Sequence, residues 1–127
     1  MRFRVVGTLL VLGLHPPGGI AQESAVPERG AQVQQAVLAA PRSMREGATV
    51  LGYGGEALKE DPLTLLREGT NELICLADDP SAPVFHVACY HRSLDGFMSL
   101  GRRLKAAGMG RQEIMDARLR PCRRVSS

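Results

Sequence analysis

The chain has no tryptophan, two tyrosines and three phenylalanines, so aromatics make up only 4% of it. A surface that stacks nucleic-acid bases needs aromatic side chains, and nucleic acid is not an expected partner. Lysine is also scarce, with two in 127 residues. The glycines at 52, 54 and 55 are not followed by G-x-x-x-x-G-K-[ST], which argues against a phosphate-binding loop. There is no C-x-x-C-H, which excludes covalent c-type haem, and no G-x-S-x-G to mark a serine nucleophile. No internal repeat is visible, and the composition rules out collagen-like and coiled-coil chains. What remains is ordinary globular material, 44% hydrophobic and 23% charged, long enough at 127 residues for one domain.

The chain opens with a distinct segment. Arg2 and Arg4 precede Val5 to Leu14, a ten-residue run without charge. Pro16 and Pro17 stop any helix, and Gly19 and Ala21 put small residues where a signal peptidase reads. These are the three parts of a secretory signal peptide. The expectation is a signal over 1–21, cleaved to leave Gln22 first, and a protein exported to the periplasm or the medium. Ten apolar residues span roughly 15 Å as a helix, about half a bilayer core, so no transmembrane segment is expected after processing. No cysteine lies near the cleavage site to carry a lipid, and the arginines are not adjacent, as a twin-arginine signal requires.

Processing removes two arginines and lowers the formal charge from +3 to +1. The remainder is polarised. Residues 22–101 carry six basic and eleven acidic side chains, a net −5, and residues 102–127 carry eight and two, a net +6. The basic segment 102–124 reads first as a solvated tail, with contact to a protein or an anionic envelope partner as the alternative.

Periodicity predicts a small α+β domain over 22–110. In 28–40, Val33, Ala36, Val37 and Ala40 form one apolar stripe, with Pro27 at the start and Pro41 ending the helix. Ser43 and Glu46 have capping-box spacing, but no periodic apolar run follows. Strands are expected at 48–53, 63–69, 72–77 and 84–91, with Gly69, Thr70 and Asn71 forming a tight hairpin between the second and third. Three or four short strands joined by short turns imply a small antiparallel sheet packed against two or three helices. A second helix should begin at Ser93 as N-cap. It should present Leu94, Phe97, Met98, Gly101 and Leu104 on one face and end at Gly108 and Gly110. Residues 111–127 are expected to hold a short helix at 111–119, with Ile114 and Met115 inward, and a loose basic tail.

The three cysteines are Cys75, Cys89 and Cys122. An oxidising compartment favours pairing. Turn signals between the third and fourth strand runs can bring Cys75 beside Cys89, the expected bridge among the three possible pairings. Cys122 is then the odd thiol.

Chemistry-bearing side chains are densest at Asp78, Asp79, His86, Cys89 and His91. Zinc accepts such ligands, but H-x-x-C-x-H is not a standard zinc spacing, and strand alternation would turn His86 away from Cys89 and His91. No metal and no cofactor are expected. A hydrolase reading needs three convergent side chains and an oxyanion hole, and no local motif fixes them. The Asp78-Asp79-Pro80 run lacks the ligand pattern of an EF-hand and reads as a turn.

The stretches LREGTN, CLADDP and FHVACYH, within 43–98, resemble a family of small bacterial exported proteins of unknown function. The resemblance covers about half of the chain after the signal. It implies bacterial export and transfers no site residues. The sequence therefore points to an exported binding or interaction protein without catalytic activity. The alternative is a small hydrolase or metal-binding protein built on Asp78, Asp79, His86 and His91.

Overall fold

The computed structural model describes residues 12–14 and 25–123. The signal expected at 1–21, its cleavage before Gln22 and the thiol of Cys122 fall outside what is described, residues 12–14 excepted. The α+β class holds. The elements run α1 (Arg29–Ala36), β1 (Thr49–Gly52), β2 (Glu56–Ala57), β3 (Thr64–Arg67), β4 (Leu73–Leu76), β5 (Ala88–His91), α2 (Asp95–Ala106) and α3 (Arg111–Arg123).

The sheet is larger than expected and not wholly antiparallel. Its five strands lie in the order β2-β3-β1-β4-β5. β1 runs antiparallel to β3 but parallel to β4, and β5 is antiparallel to β4. The departure traces to the link after β3. Residues 69–71 do not close a hairpin. They cross the start of β1, so that β4 lands on its far side. Gly69 permits the crossing, because a Cβ there would strike the backbone of Gly47, Ala48 and Thr49. The Gly47 carbonyl accepts the amides of Thr70 at 2.7 Å and Asn71 at 2.9 Å, and Asn71 Nδ2 donates to the Met44 carbonyl at 2.7 Å. The turn-forming residues are thus bonded to the entry of β1 rather than to one another.

β1 is the central strand and is buried along its whole length, as a strand with both faces covered must be. Side chains alternate across it. Val50, Leu66, Cys75 and Ala77 point to the α1 side, where they meet Ala36, Val37 and Ala40. Leu51, Leu63, Ile74 and Tyr90 point the other way, with Met98 of α2 packed on them. The expected α1 stripe is therefore correct, although the helix tightens into a 3-10 turn at Val37–Ala39 before Pro41. Gln32 joins that stripe at 3% exposure. Its amide exchanges two 3.0 Å bonds with the main chain of Tyr53, which continues the sheet's hydrogen bonding one residue beyond β1.

The Cys75–Cys89 disulfide is present. It joins residues directly opposite each other on β4 and β5. The fourth apolar run is strand only from Ala88 to His91, and residues 77–87 form a loop. Helix α2 starts at Asp95 rather than Ser93. Ser93 lies in a preceding 3-10 turn, where its amide donates to the His91 ring at 3.1 Å. Leu94 and Phe97, expected inward, are exposed.

Gly108 ends α2 with φ +87°. Its amide reaches the Lys105 carbonyl, and that of Met109 the Leu104 carbonyl, both at 3.0 Å. This is the paired bonding of a Schellman cap. The last helix runs to Arg123, past the 111–119 expected for it. It packs on α2, with the Arg118 guanidinium 4.3 Å from the centre of the Phe97 ring.

Candidate functional site

The C-terminal ends of β1 and β4 and the starts of β3 and β5 meet at one end of the sheet. The chain leaves β1 at Tyr53 and leaves β4 into Ala77, Asp78 and Asp79. The 77–87 loop then turns back to start β5, and α2 crosses above. Between them lies a cleft of about 670 Å³. Leu63, Leu76 and Ala88 line it from the sheet, and Met98, Arg102 and Lys105 from the helix. Tyr53, Asp78, Asp79 and His86 supply its polar edge. The volume is that of a small-molecule site.

The loop is held by its own aspartates. Asp78 Oδ1 accepts the His86 amide at 2.7 Å. Asp79 Oδ1 accepts the Ser81 amide at 2.9 Å and the Ser81 hydroxyl at 2.6 Å. These Ser81 bonds hold the Asp79 carboxyl below its ordinary pKa; slight burial opposes them and the charge of Lys105 adds to them. The Tyr53 phenol is pushed up by burial and by the charges of Asp79 and Asp78. It is therefore a neutral hydrogen-bonding group at physiological pH.

Beneath the cleft lies a polar knot that the sequence did not announce. Arg102 Nε and Nη2 grip the Asp61 carboxylate, Nη2 at 2.7 Å from Oδ2. Its Nη1 donates to the Tyr90 hydroxyl at 3.0 Å, and that hydroxyl donates to Asp95 Oδ1 at 2.7 Å. The side chains of Arg102 and Asp61 are 13% and 8% exposed. Burial would raise the Asp61 carboxyl, but the Arg102 bonds, the Leu63 amide and the nearby arginine charges outweigh it and hold it low. Burial also works against the Arg102 charge, yet its bonds to Asp61 and Tyr90 leave the guanidinium more basic than usual. Burial and the bond to Asp95 push the Tyr90 phenol up to about 12, against the opposing pull of Arg102. One signal was available: Asp95, Met98 and Arg102 share a helix face at i, i+3 and i+7. The charged ends of that row masked it, because a cation in a last turn is explained by the helix dipole alone.

Of the residues singled out from sequence, the structure brings Asp78, Asp79 and His86 to the cleft and leaves His91 outside it. His91 pairs in register with Leu73 at the start of β4, whereas His86 bonds Asp78 beyond the end of that strand. At about 3.3 Å per residue, roughly 15 Å of sheet separates them. Nδ1 of His91 lies 2.8 Å from the Ser93 hydroxyl, and Cys89 is committed to the disulfide. Among the described residues no three His, Cys, Asp or Glu side chains are placed to hold one metal ion. The same residues include no helix long and apolar enough to cross a membrane.

The chain matches no family model, no curated protein and no solved structure.

Proposed function

We infer that the protein is a small exported binding module of the periplasm or the medium, taking a small ligand in the cleft beyond β1 and β4 without catalysing its conversion. One observation carries this reading. The cleft has an apolar lining with a few polar groups at its edge, and its carboxylates are already engaged. Asp78 is held by the His86 amide and Asp79 by Ser81. What is left to greet a ligand is the Tyr53 phenol, the His86 ring and Lys105, a set suited to recognition. The disulfide supports export, because such bridges persist in oxidising compartments.

The test is native and denaturing mass spectrometry of the full chain expressed in a bacterium, on both the periplasmic fraction and the medium. The expected result is a chain beginning at Gln22, with Cys75 and Cys89 joined. It should carry a small molecule under native conditions that is lost in Ala106→Arg, at an exposed position that lines the cleft. A full-length chain retained in the cytoplasm with reduced cysteines would overturn export. Turnover of an ester or amide substrate that His86→Ala abolishes would overturn binding without catalysis and install the hydrolase alternative.

A further inference from the structure

A second concavity, of about 550 Å³, lies between α2 and α3. It adjoins the ligand cleft, sharing Met98, Arg102 and Lys105 with it, and Met109, Arg111, Ile114, Met115 and Arg118 belong to the groove and not to the cleft. Its apolar wall is made by Met98, Met109, Ile114 and Met115. Three of the chain's five methionines are therefore gathered in one groove. Methionine is unbranched and polarizable, and such walls adapt to flexible apolar chains. Every charged side chain that lines the groove is a cation. Arg102 is consumed by Asp61, and Arg118 by the Phe97 ring and the Phe97 carbonyl. Lys105 and Arg111 make no ion pair among the described residues.

An apolar trough rimmed by two exposed cations that make no ion pair among the described residues complements one kind of molecule. We propose that the groove between α2 and α3 binds a free single-chain anionic amphiphile, with its acidic head at Lys105 and Arg111 and its hydrocarbon along the methionine wall. The concave shape favours a dissolved molecule over a bilayer. Ile114 and Met115 are half-buried at its side, whereas a helix that lies in a membrane presents a protruding apolar face. Charge complementarity selects the anion over a cation of equal length.

The test follows the methyl signals of methionine by NMR in the full chain, purified in the form the cell yields and with its mass recorded. The probe is dodecanoate, kept below micelle concentration. The expected result is a saturable shift of Met98, Met109 and Met115 with Met44 unmoved. Reversing the rim, as Lys105→Glu with Arg111→Glu, should weaken binding about tenfold, since exposed ion pairs each contribute little. Both positions are exposed, and an unshifted Met44 signal reports that the double variant has kept the fold. Equal binding of dodecyltrimethylammonium would overturn the proposal. So would shifts that include Met44, or no shift with dodecanoate. Capture by phosphatidylglycerol vesicles without monomer binding would overturn it in favour of a membrane surface. If the cleft reading fails while the methionine shifts appear, this site stands alone.

Discussion

The two faces of the sheet are built on opposite plans. The α1 side is apolar and closed, with Val50 and Cys75 wholly buried, alanines closing the gaps and a disulfide tying β4 to β5. The α2 side is held by ions and opens into both grooves. Its core residue Tyr90 spends its hydroxyl on Asp95 and Arg102, and a single methionine, Met98, brings α2 onto the layer of Leu51, Leu63 and Ile74. A face locked by covalent and apolar contacts can hold the backbone while the other face stays open to a ligand. Directional bonds keep the position of α2 without filling the space beneath it.

The contrast predicts that the most damaging single change lies on the polar side. Arg102→Met leaves Asp61 charged, largely buried and without its partner, and such a loss costs about 3–5 kcal/mol. Urea unfolding at neutral pH measures it. The pH dependence has a definite sign. The folded pKa of Asp61 is below its ordinary 3.8, so its ionisation stabilises the wild type above that value and the contribution is lost as pH falls through the lowered one. In Arg102→Met the same acid neutralises the stranded carboxyl. The gap between variant and wild type should therefore narrow between about pH 7 and pH 3. A constant gap would mean that Arg102 acts by packing alone.

Next in size is the covalent tie. Cys75→Ala with Cys89→Ala should cost about 3 kcal/mol and lower the melting temperature on the order of 15 °C for a domain of this size. Hydrogen exchange should then rise first in β5, which is an edge strand joined only to β4. Tyr90→Phe is smaller, at about 1–2 kcal/mol, because the ring remains and only its bonds to Asp95 and Arg102 are lost. The raised phenol implies that wild-type stability declines as pH rises from 10 toward about 12. There the folded state holds a proton that the unfolded chain has released. Tyr90→Phe removes that alkaline decline, which melts at high pH would show.

The closed face was largely legible in the sequence. Val33, Ala36, Val37 and Ala40 announce their stripe by spacing alone, and Cys75 and Cys89 announce their bridge by compartment and position. Apolar periodicity reports which way a side chain points, and that face is made of little else. The open face depends on partners distant in sequence. Asp61 and Arg102 are 41 residues apart, and nothing local to either marks it as half of a buried pair. The crossover was hidden for another reason. Gly69, Thr70 and Asn71 suit a hairpin and a crossover equally, and the choice rests on a close approach of Gly69 to the backbone before β1. His86 and His91 are apart, but not by strand alternation: β5 begins only at Ala88, so His86 belongs to the loop beyond one end of the strand while His91 lies at the other.

The smallest predicted effect separates stability from openness most cleanly. Gly101 sits in the middle of α2, and the Arg118 side chain lies against it where a Cβ would stand. Gly101→Ala gains helix propensity worth about 1 kcal/mol. It also pushes the guanidinium off the Phe97 ring, which forfeits roughly 0.5–1 kcal/mol. The displaced atoms are the far end of a flexible chain, so nothing in the backbone need move. The two effects nearly cancel, and global stability should stay within about 0.5 kcal/mol of the wild type. The local consequence is different, since α3 packs chiefly on α2. Amide exchange in α3 should quicken several-fold while β1 and β4 keep full protection, because segments of a fold open independently. Equal quickening in β1 would make α3 part of the closed core and erase the distinction between the two faces.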